Sequence, residues 1–409
     1  MLKGLRVVSL CHYLQGPAAV QYLADMGADV IKVEPLSGAH ERHWSGANTY
    51  VGGVSGFLLC TNRNNRSLAL DLKTESGKRI FLRLVETADV VVENFRTGVL
   101  DRLGLGYDKL KEHKPDLILA SASGFGASGP MANQPGQDLL IQARSGLMSV
   151  TGPDSQPTPT GCAAVDQHGA SLLAMGILGA YVKKLVSGEG TLVEANLFNA
   201  GIDLQMEGLT NYLSGGFKRE RLKRDSHLAT WFHQAPYGVY EAADGFIAIS
   251  SRIEPKTFAE VLDSDELREM ASLDRYKERD RYAVAVAAAL KKFPRARIAD
   301  LMNAAGLWNA PVQDYDQLAV DPQALHNKVF RTVDVNGESA TLINHPLRYD
   351  GEVPPLRKLA VLLGEHTEEI LQELGFTSDD IERFAHQRAI GVAPPVEKAP
   401  NPIRLPAKR

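Results

Sequence analysis

Residues 5–34 read LRVVSLCHYLQGPAAVQYLADMGADVIKVE. The stretch opens on a run of β-formers, passes through a segment with apolar residues at helical spacing, and closes on a second β-rich run. Strands joined through a helix run parallel, because an antiparallel return needs only a short turn. The unit then recurs. RSLALDL (66–72) reads as a strand, TESGKRIFLRLVETA (74–88) as a helix with Thr74 as its N-cap, and DVVVENF (89–95) as the next strand. GVLDRLGLGYDKLKEHK (98–114) and DLILASASGFG (116–126) repeat the order. Three of the strands follow a helix and open on aspartate, at Asp29, Asp89 and Asp116. The first domain is therefore expected to be α/β, a doubly wound parallel sheet.

Working outward, residues 164–186 predict a long helix, GEGTLVEANLF (188–198) a turn and strand, and the following residues a helical run to about 213. Residues 214–232 are basic, glycine-containing and weakly periodic. APYGVYEAADGFIAISS (235–251) predicts a hairpin turning near Asp244 and Gly245, residues 255–306 are helical, and VFRTVDVNGESATLI (329–343) is a hairpin around Asn336-Gly337. The expected organisation is a large α/β domain over 1–224, completed by 351–409 returning to it, and a smaller α+β domain over 225–350. The end, VAPPVEKAPNPIRLPAKR (392–409), is proline-rich and reads as extended.

The chain has 409 residues, 44% of them hydrophobic and 23% charged, with a formal charge of -4. That is the composition of a globular chain with enough length for two or three domains. Basic residues are spread out, and the one cluster, KRERLKRD (218–225), reads as a solvated linker, so no nucleic-acid partner is expected. Cys11, Cys60 and Cys162 are far apart and odd in number, which suggests neither a disulfide framework nor a CxxC metal site. MLKGLRVVSL enters a strand without a signal peptide's apolar core, and no apolar stretch is read as reaching the roughly 20 residues of a membrane span. A cytoplasmic location without membrane contact is the expectation.

Ligands of doubly wound sheets bind beyond the carboxyl ends of the strands. The first such loop, CHYLQGP (11–17), carries His12 and Gln15 but is not GxGxxG, so a nicotinamide or flavin cofactor loses its main support. The spaced glycines of LGLGYD (103–108) fall inside a helical segment instead. In CAAVDQHGASLLAMGILGAY (162–181), Asp166 stands at the start of the long helix. Either it caps free backbone amides there, or it is a carboxylate sealed from water and able to act as a nucleophile. His168 is too close along the helix start to face the same way. Glu254 follows a strand and precedes a helix, as a cap or an acid. No histidine and carboxylate set has metal-ligand spacing, and GxSxG is absent.

Combined in order, GLRVVSLCHYLQGP, LADMGADVIKVEP, NRNNRSLALDLKTESGK, ADVVVENFRTGVLDRLGLGYDKL, SASGFGASGP, GQDLLIQARSGLMSVTG, APYGVYEAADGFIAIS and LLGEHTEEILQELGF resemble the class III CoA-transferase family over residues 3–376. That family includes formyl-CoA transferase, carnitine CoA-transferases and α-methylacyl-CoA racemase. The resemblance implies a Rossmann-like large domain and a homodimer of interlocked rings. Coenzyme A then serves as substrate and product, passing between an acyl-CoA and a small carboxylic acid. It places the nucleophile at Asp166, which passes through an acyl-aspartyl anhydride and an aspartyl-CoA thioester. CoA contacts fall on His12, Gln15, Leu70, Lys73, Asn94, Phe95 and Arg102. The chemistry is physically reasonable because a thiolate leaves easily, while a carboxylate becomes a useful nucleophile only when stripped of water. SASGFGASGP and PTGCAA (159–164) supply small residues that let backbone N–H groups approach the acyl oxygen.

The departures bear on the reaction. SRIEP (251–255) resembles the racemase branch, with Glu254 at its glutamate, but Gln137 stands where that branch has histidine, and an amide does not exchange protons at useful pKa. Transferase is the expectation and a 2-methylacyl-CoA racemase or epimerase the alternative. The glycine run of formyl-CoA transferase has no counterpart beyond Gly215-Gly216, which leaves formate and oxalate specificity without support. Thr97 stands where many relatives have proline. Arg144, Arg252 and His233 are candidates for holding the second carboxylate of a dicarboxylic substrate.

Overall fold

The computed structural model describes residues 1–153, 155–250, 254–360 and 362–393. Two expectations, the Arg252 contact and the proline-rich end from residue 394 onward, lie outside the described residues. The chain divides into two compact units. The first comprises residues 1–141, 163–201 and 322–409, the second 142–162 and 202–321.

In the first unit, β1 (Arg6–Ser9), β2 (Asp29–Glu34), β3 (Asn65–Leu70), β4 (Val90–Glu93), β5 (Ile118–Ser123) and β6 (Leu192–Asn196) form a parallel sheet. Its order is β3-β2-β1-β4-β5-β6, with Ile390–Gly391 added antiparallel outside β3. Neighbouring residues face opposite ways and both are buried: Val7, Val30 and Val90 on one side, Val8, Ile31 and Val91 on the other. A strand apolar on both faces needs helices on both faces. Helix α1 (Gln15–Asp25) packs on the first face, with a 24-residue helix, Ala164–Ser187, beside it. On the second lies α2 (Glu75–Val85), whose Thr74 hydroxyl accepts the Gly77 N–H, as its N-cap reading anticipates. Ile370, Leu371, Phe384 and Ile390 bring the chain's end into that same layer.

The unit boundaries differ from the sequence expectation. The hairpin Phe330–Val335/Glu338–Ile343 forms about Asn336 and Gly337, both at positive φ, but it belongs with the sheet rather than with the smaller unit. Val335, Ala340 and Leu342 close a small core over Leu59, contacts nearly 280 residues apart in sequence that local patterning does not register.

The second unit has an antiparallel sheet, Gly238–Ala242, Gly245–Ile249 and Asn309–Pro311, against helices including Arg279–Leu290 and Arg295–Ala304. Tyr240, Ile247, Phe258, Tyr282 and Val286 are its interior. The basic run 218–225 is not simply solvated. Arg221 lies over the rings of Phe217 and Tyr276, and Arg224 donates to Leu228 O at 3.0 Å and Val150 O at 2.9 Å. These arginines find carbonyl and ring partners that a charge count does not reveal.

The Ala164–Ser187 helix also corrects an expectation, since its length and apolar composition do meet the requirement for crossing a membrane. Leu173 and Ile177 are fully buried against the sheet, while Met175, Val182, Leu185 and Val186 are exposed.

Arg63 ties the end of α1 to the 330–343 hairpin through a buried fork. Its Nη2 and Nε donate to Asp25 at 2.7 and 3.0 Å, and Nη1 to Ile343 O at 2.7 Å. Asp25→Ala leaves that guanidinium buried without its counter-charge, and is expected to lower the unfolding free energy by about 3–5 kcal/mol, read by chemical denaturation.

Candidate active site

The strand order reverses direction at β1, which has β2 on one side and β4 on the other. Ligands of such sheets sit in the crevice beyond the strand ends at that reversal. The two loops there are tied reciprocally: the His12 N–H donates to Asn94 Oδ1 at 3.0 Å, and Asn94 Nδ2 donates to His12 O at 2.7 Å. Between His12 and α1 the backbone turns left-handed at Tyr13, φ 63°. A non-glycine residue holds that conformation only when its surroundings enforce it. Here the Tyr13 N–H donates to Glu41 Oε2 at 3.3 Å, and Glu41, fully buried, takes Lys32 Nζ at 2.5 Å. A second buried pair, Arg42 with Glu34 at 2.6 Å, crosses beside the first in the opposite sense. Together they dock residues 40–44 on β2, and His40 and Trp44 of that segment line the crevice.

Gln15 opens α1 and is 5% exposed, and its Nε2 has no hydrogen-bond partner among the described residues. A Cβ at Gly169 would stand 2.9 Å from that nitrogen, so glycine is what permits the two helix starts to approach. Gly169 lies one turn beyond Asp166.

Asp166 is not the cap of its helix. The helix begins at Ala164 and has no side-chain cap at Ala163. Instead Asp138, on α3 (Asp138–Arg144), accepts the N–H groups of Val165 at 2.8 Å and Asp166 at 3.1 Å through Oδ1. With those amides satisfied from outside, the Asp166 carboxyl is left for the crevice. Burial, and then the neighbouring charge of Asp138, push its pKa up to about 7. His12 is shifted the other way, its pKa lowered by burial, which favours a neutral ring.

The crevice is a cavity of about 1260 Å³ lying wholly in the first unit. That exceeds the usual small-ligand pocket. Its walls bring together Asp166, Gln15, His12, Asn94 and Phe95 of the expected residues. Gln137 and Thr97 also face it. Leu70 is buried in the core at the end of β3, while Lys73 and Arg102 are exposed and stand outside the cavity walls. Glu254 occupies the position before helix Pro255–Val261 but makes no capping bond, and it is exposed in the second unit. Arg144 and His233 belong to the second unit too, His233 with Thr230 Oγ1 at 2.7 Å and stacked on Tyr237.

Sequence reading missed Asp138, Trp44 and the hairpin residues Ser339–Ile343 that also wall the cavity. The acid before LLIQAR is visible in the sequence, but its partner amides lie 27 and 28 residues further on. Among the described residues no group of three or more histidine, cysteine, aspartate or glutamate side chains converges as a metal-ligand set.

Comparison with known proteins gives a consistent picture. A model of CoA-transferase family III matches residues 2–367. The chain is 34% identical to a succinyl-CoA:mesaconate CoA-transferase of Haloarcula hispanica, over 91% of this chain and 96% of that one. It is 32% identical to an acetyl-CoA:oxalate CoA-transferase of Acetobacter aceti, over 86% and 90%. A solved CAIB/BAIF family protein from Brucella suis superposes with a TM-score of 0.77 at 30% identity, covering 91% of this chain and 99% of the other. The chain belongs to CoA-transferase family III.

The raised Asp166 pKa has a sign that can be tested. The folded chain holds this proton more tightly than the unfolded chain, so the associated stability is full below about pH 4 and is lost as pH rises through about 7. Asp166→Asn is therefore expected to melt higher than the parent at pH 8 and to lose that advantage as pH falls to about 4. Asp138→Asn removes the neighbouring charge and is expected to lower the Asp166 midpoint, followed by carboxyl infrared or NMR titration.

Proposed function

We propose that this member of CoA-transferase family III moves CoA from an acyl-CoA thioester to an acceptor carboxylic acid through Asp166. The observation that carries the reading is a carboxylate freed from capping, half-buried, and facing a cavity at the reversal point of a doubly wound sheet. Asp166 attacks the thioester carbonyl, the carbon–sulfur bond breaks, and CoA leaves as the thiolate, giving an acyl-aspartyl anhydride. The thiolate then attacks the aspartyl carbon and expels the first acid as its carboxylate, leaving an aspartyl-CoA thioester. The acceptor carboxylate repeats the two exchanges in reverse. Each step trades one anion for another, so no general base is required, and a neutral His12 suits the site. Desolvation favours the attack by weakening the hydration of the carboxylate.

CoA enters this scheme with its thioester arm among His12, Gln15, Asn94 and Phe95, and the exposed cations Lys73 and Arg102 take its phosphates. At Leu70 the side chain is committed to the core, so the contact there is through backbone. The acceptor is a small carboxylic acid, a reading supported by relatives named for oxalate and mesaconate. The exposed apolar side of the Ala164–Ser187 helix supports a homodimer, and the interlocked form implied by the family is part of the proposal. Three cysteines without disulfides support a reducing, cytoplasmic setting. The 2-methylacyl-CoA racemase alternative gains no support from Gln137, which lines the cavity where a proton-transferring side chain would be needed.

Asp166→Ala is expected to abolish exchange of labelled acid into acyl-CoA, and hydroxylamine is expected to trap an adduct on Asp166 of the parent. Retained exchange in the variant would overturn the mechanism. Arg102→Ala is expected to weaken CoA about tenfold by calorimetry, the scale of one charge-assisted contact. Incorporation of deuterium at the α-carbon of 2-methylacyl-CoA would shift the assignment to the racemase.

A further inference from the structure

Residues 124–136 leave the end of β5 and return just before α3. The two ends of this segment meet backbone to backbone: a Cβ on Gly124 would stand 2.6 Å from the Gly136 Cα. Between them the chain folds on itself, with Ala132 N–H donating to Gly129 O at 3.2 Å and Gln134 N–H to Met131 O at 2.9 Å. Residues 127–130 and 133–136 of the loop are exposed. A compact surface loop with touching ends packs on itself and is frequently functional. The inner side of this one, through Ala132, Gln134 and Pro135, walls the Asp166 cavity, and the residues that follow it are Gln137 and Asp138.

Thr97 reaches the loop from the turn after β4. Its hydroxyl donates to Ala132 O at 3.1 Å and stands 3.5 Å from Gly126 O, gripping both limbs of the loop from the cavity side. At the neck the Phe198 N–H donates to Gly124 O at 3.0 Å, and the Phe125 and Phe198 rings are 5.8 Å apart. The loop is thus fixed at its neck by backbone packing and by the Ser123 hydroxyl, which accepts the Gly126 N–H at 2.9 Å, and at its body by the Thr97 hydroxyl.

We propose that residues 124–136 form a lid over the acyl end of the Asp166 cavity, and that Thr97 is the positioning residue that latches it. This rests on Asp166 acting as the nucleophile, because what the latch controls is the fate of the acyl-aspartyl intermediate. With the lid down, the intermediate meets only CoA thiolate or carboxylate. With it raised, water attacks the acyl carbon of the anhydride and the bond to the Asp166 oxygen breaks. Asp166 leaves as carboxylate, and the released proton ends on the CoA thiolate. The net reaction of that leak is acyl-CoA plus water giving free acid and CoA thiol.

The experiment measures two rates on the intact protein with acetyl-, propionyl- and succinyl-CoA, each paired with its own isotopically labelled acid. Transfer is label entering acyl-CoA, and hydrolysis is thiol released without transfer. Thr97→Val, which keeps the volume and loses the hydroxyl, is expected to raise the ratio of hydrolysis to transfer about fivefold, the worth of one such hydrogen bond. Thr97→Ser is expected to restore the parent ratio, and Gly136→Ala, which wedges the neck, to raise it. Should Thr97→Val fail to fold, Thr97→Ala against Thr97→Ser makes the same comparison. A lower melting temperature with the ratio unchanged within twofold would overturn the latch while leaving Asp166 chemistry intact. A parent that neither exchanges label nor forms a hydroxylamine adduct would remove the Asp166 reading and the latch with it.

Discussion

One carboxylate oxygen, Oδ1 of Asp138, takes two backbone N–H groups at the start of the helix that carries Asp166. Helix starts leave amides that must find acceptors, and the acidic residue nearest in sequence is the usual supplier. Were Asp166 to serve that need, its oxygens would be turned back on its own backbone and held at low pKa. Because Asp138 serves it from another helix, Asp166 remains uncommitted, and the proximity of the two acids disfavours a second full charge. The capping by Asp138 and the raised pKa of Asp166 are thus one arrangement seen from its two partners.

Around that pair the site is assembled from chain ends of parallel strands. β1 and β4 deliver His12 and Asn94, locked together by the Asn94 side-chain amide on the His12 main chain, and α1 delivers Gln15 against Gly169. The Asp166 carboxyl and the Gln15 amide both line the cavity.

The sheet was legible because its strands are buried on both faces and interrupted by helices: Val7 and Val8, or Val90 and Val91, admit no solvent-facing alternative. The hairpin at Asn336-Gly337 was legible from its turn residues alone. Where that hairpin belongs was not, since its partners Leu59 and Arg63 lie in the first quarter of the chain. The site divides in the same way. His12 and Gln15 lie in the loop after the first strand, which topology marks, and Asn94 and Phe95 are named by the family resemblance, whereas Asp138 acts across a gap in sequence and Trp44 is aimed by ion pairs beneath it. Arg221 and Arg224 carry the same lesson for charge runs, which take their meaning from carbonyls and rings that composition does not contain.

The crossed ion pairs under residues 40–44 have an evolutionary consequence. β2 presents a cation at Lys32 and an anion at Glu34, and the turn above answers with Glu41 and Arg42. Reversing either charge alone sets like signs together in a dry interior, so drift at these four positions must proceed by compensated double changes. The segment bearing His40 and Trp44 is therefore held to one seating much as a ward admits one key, and its inherited alignment should outlast wide divergence in the substrate-facing side chains it displays.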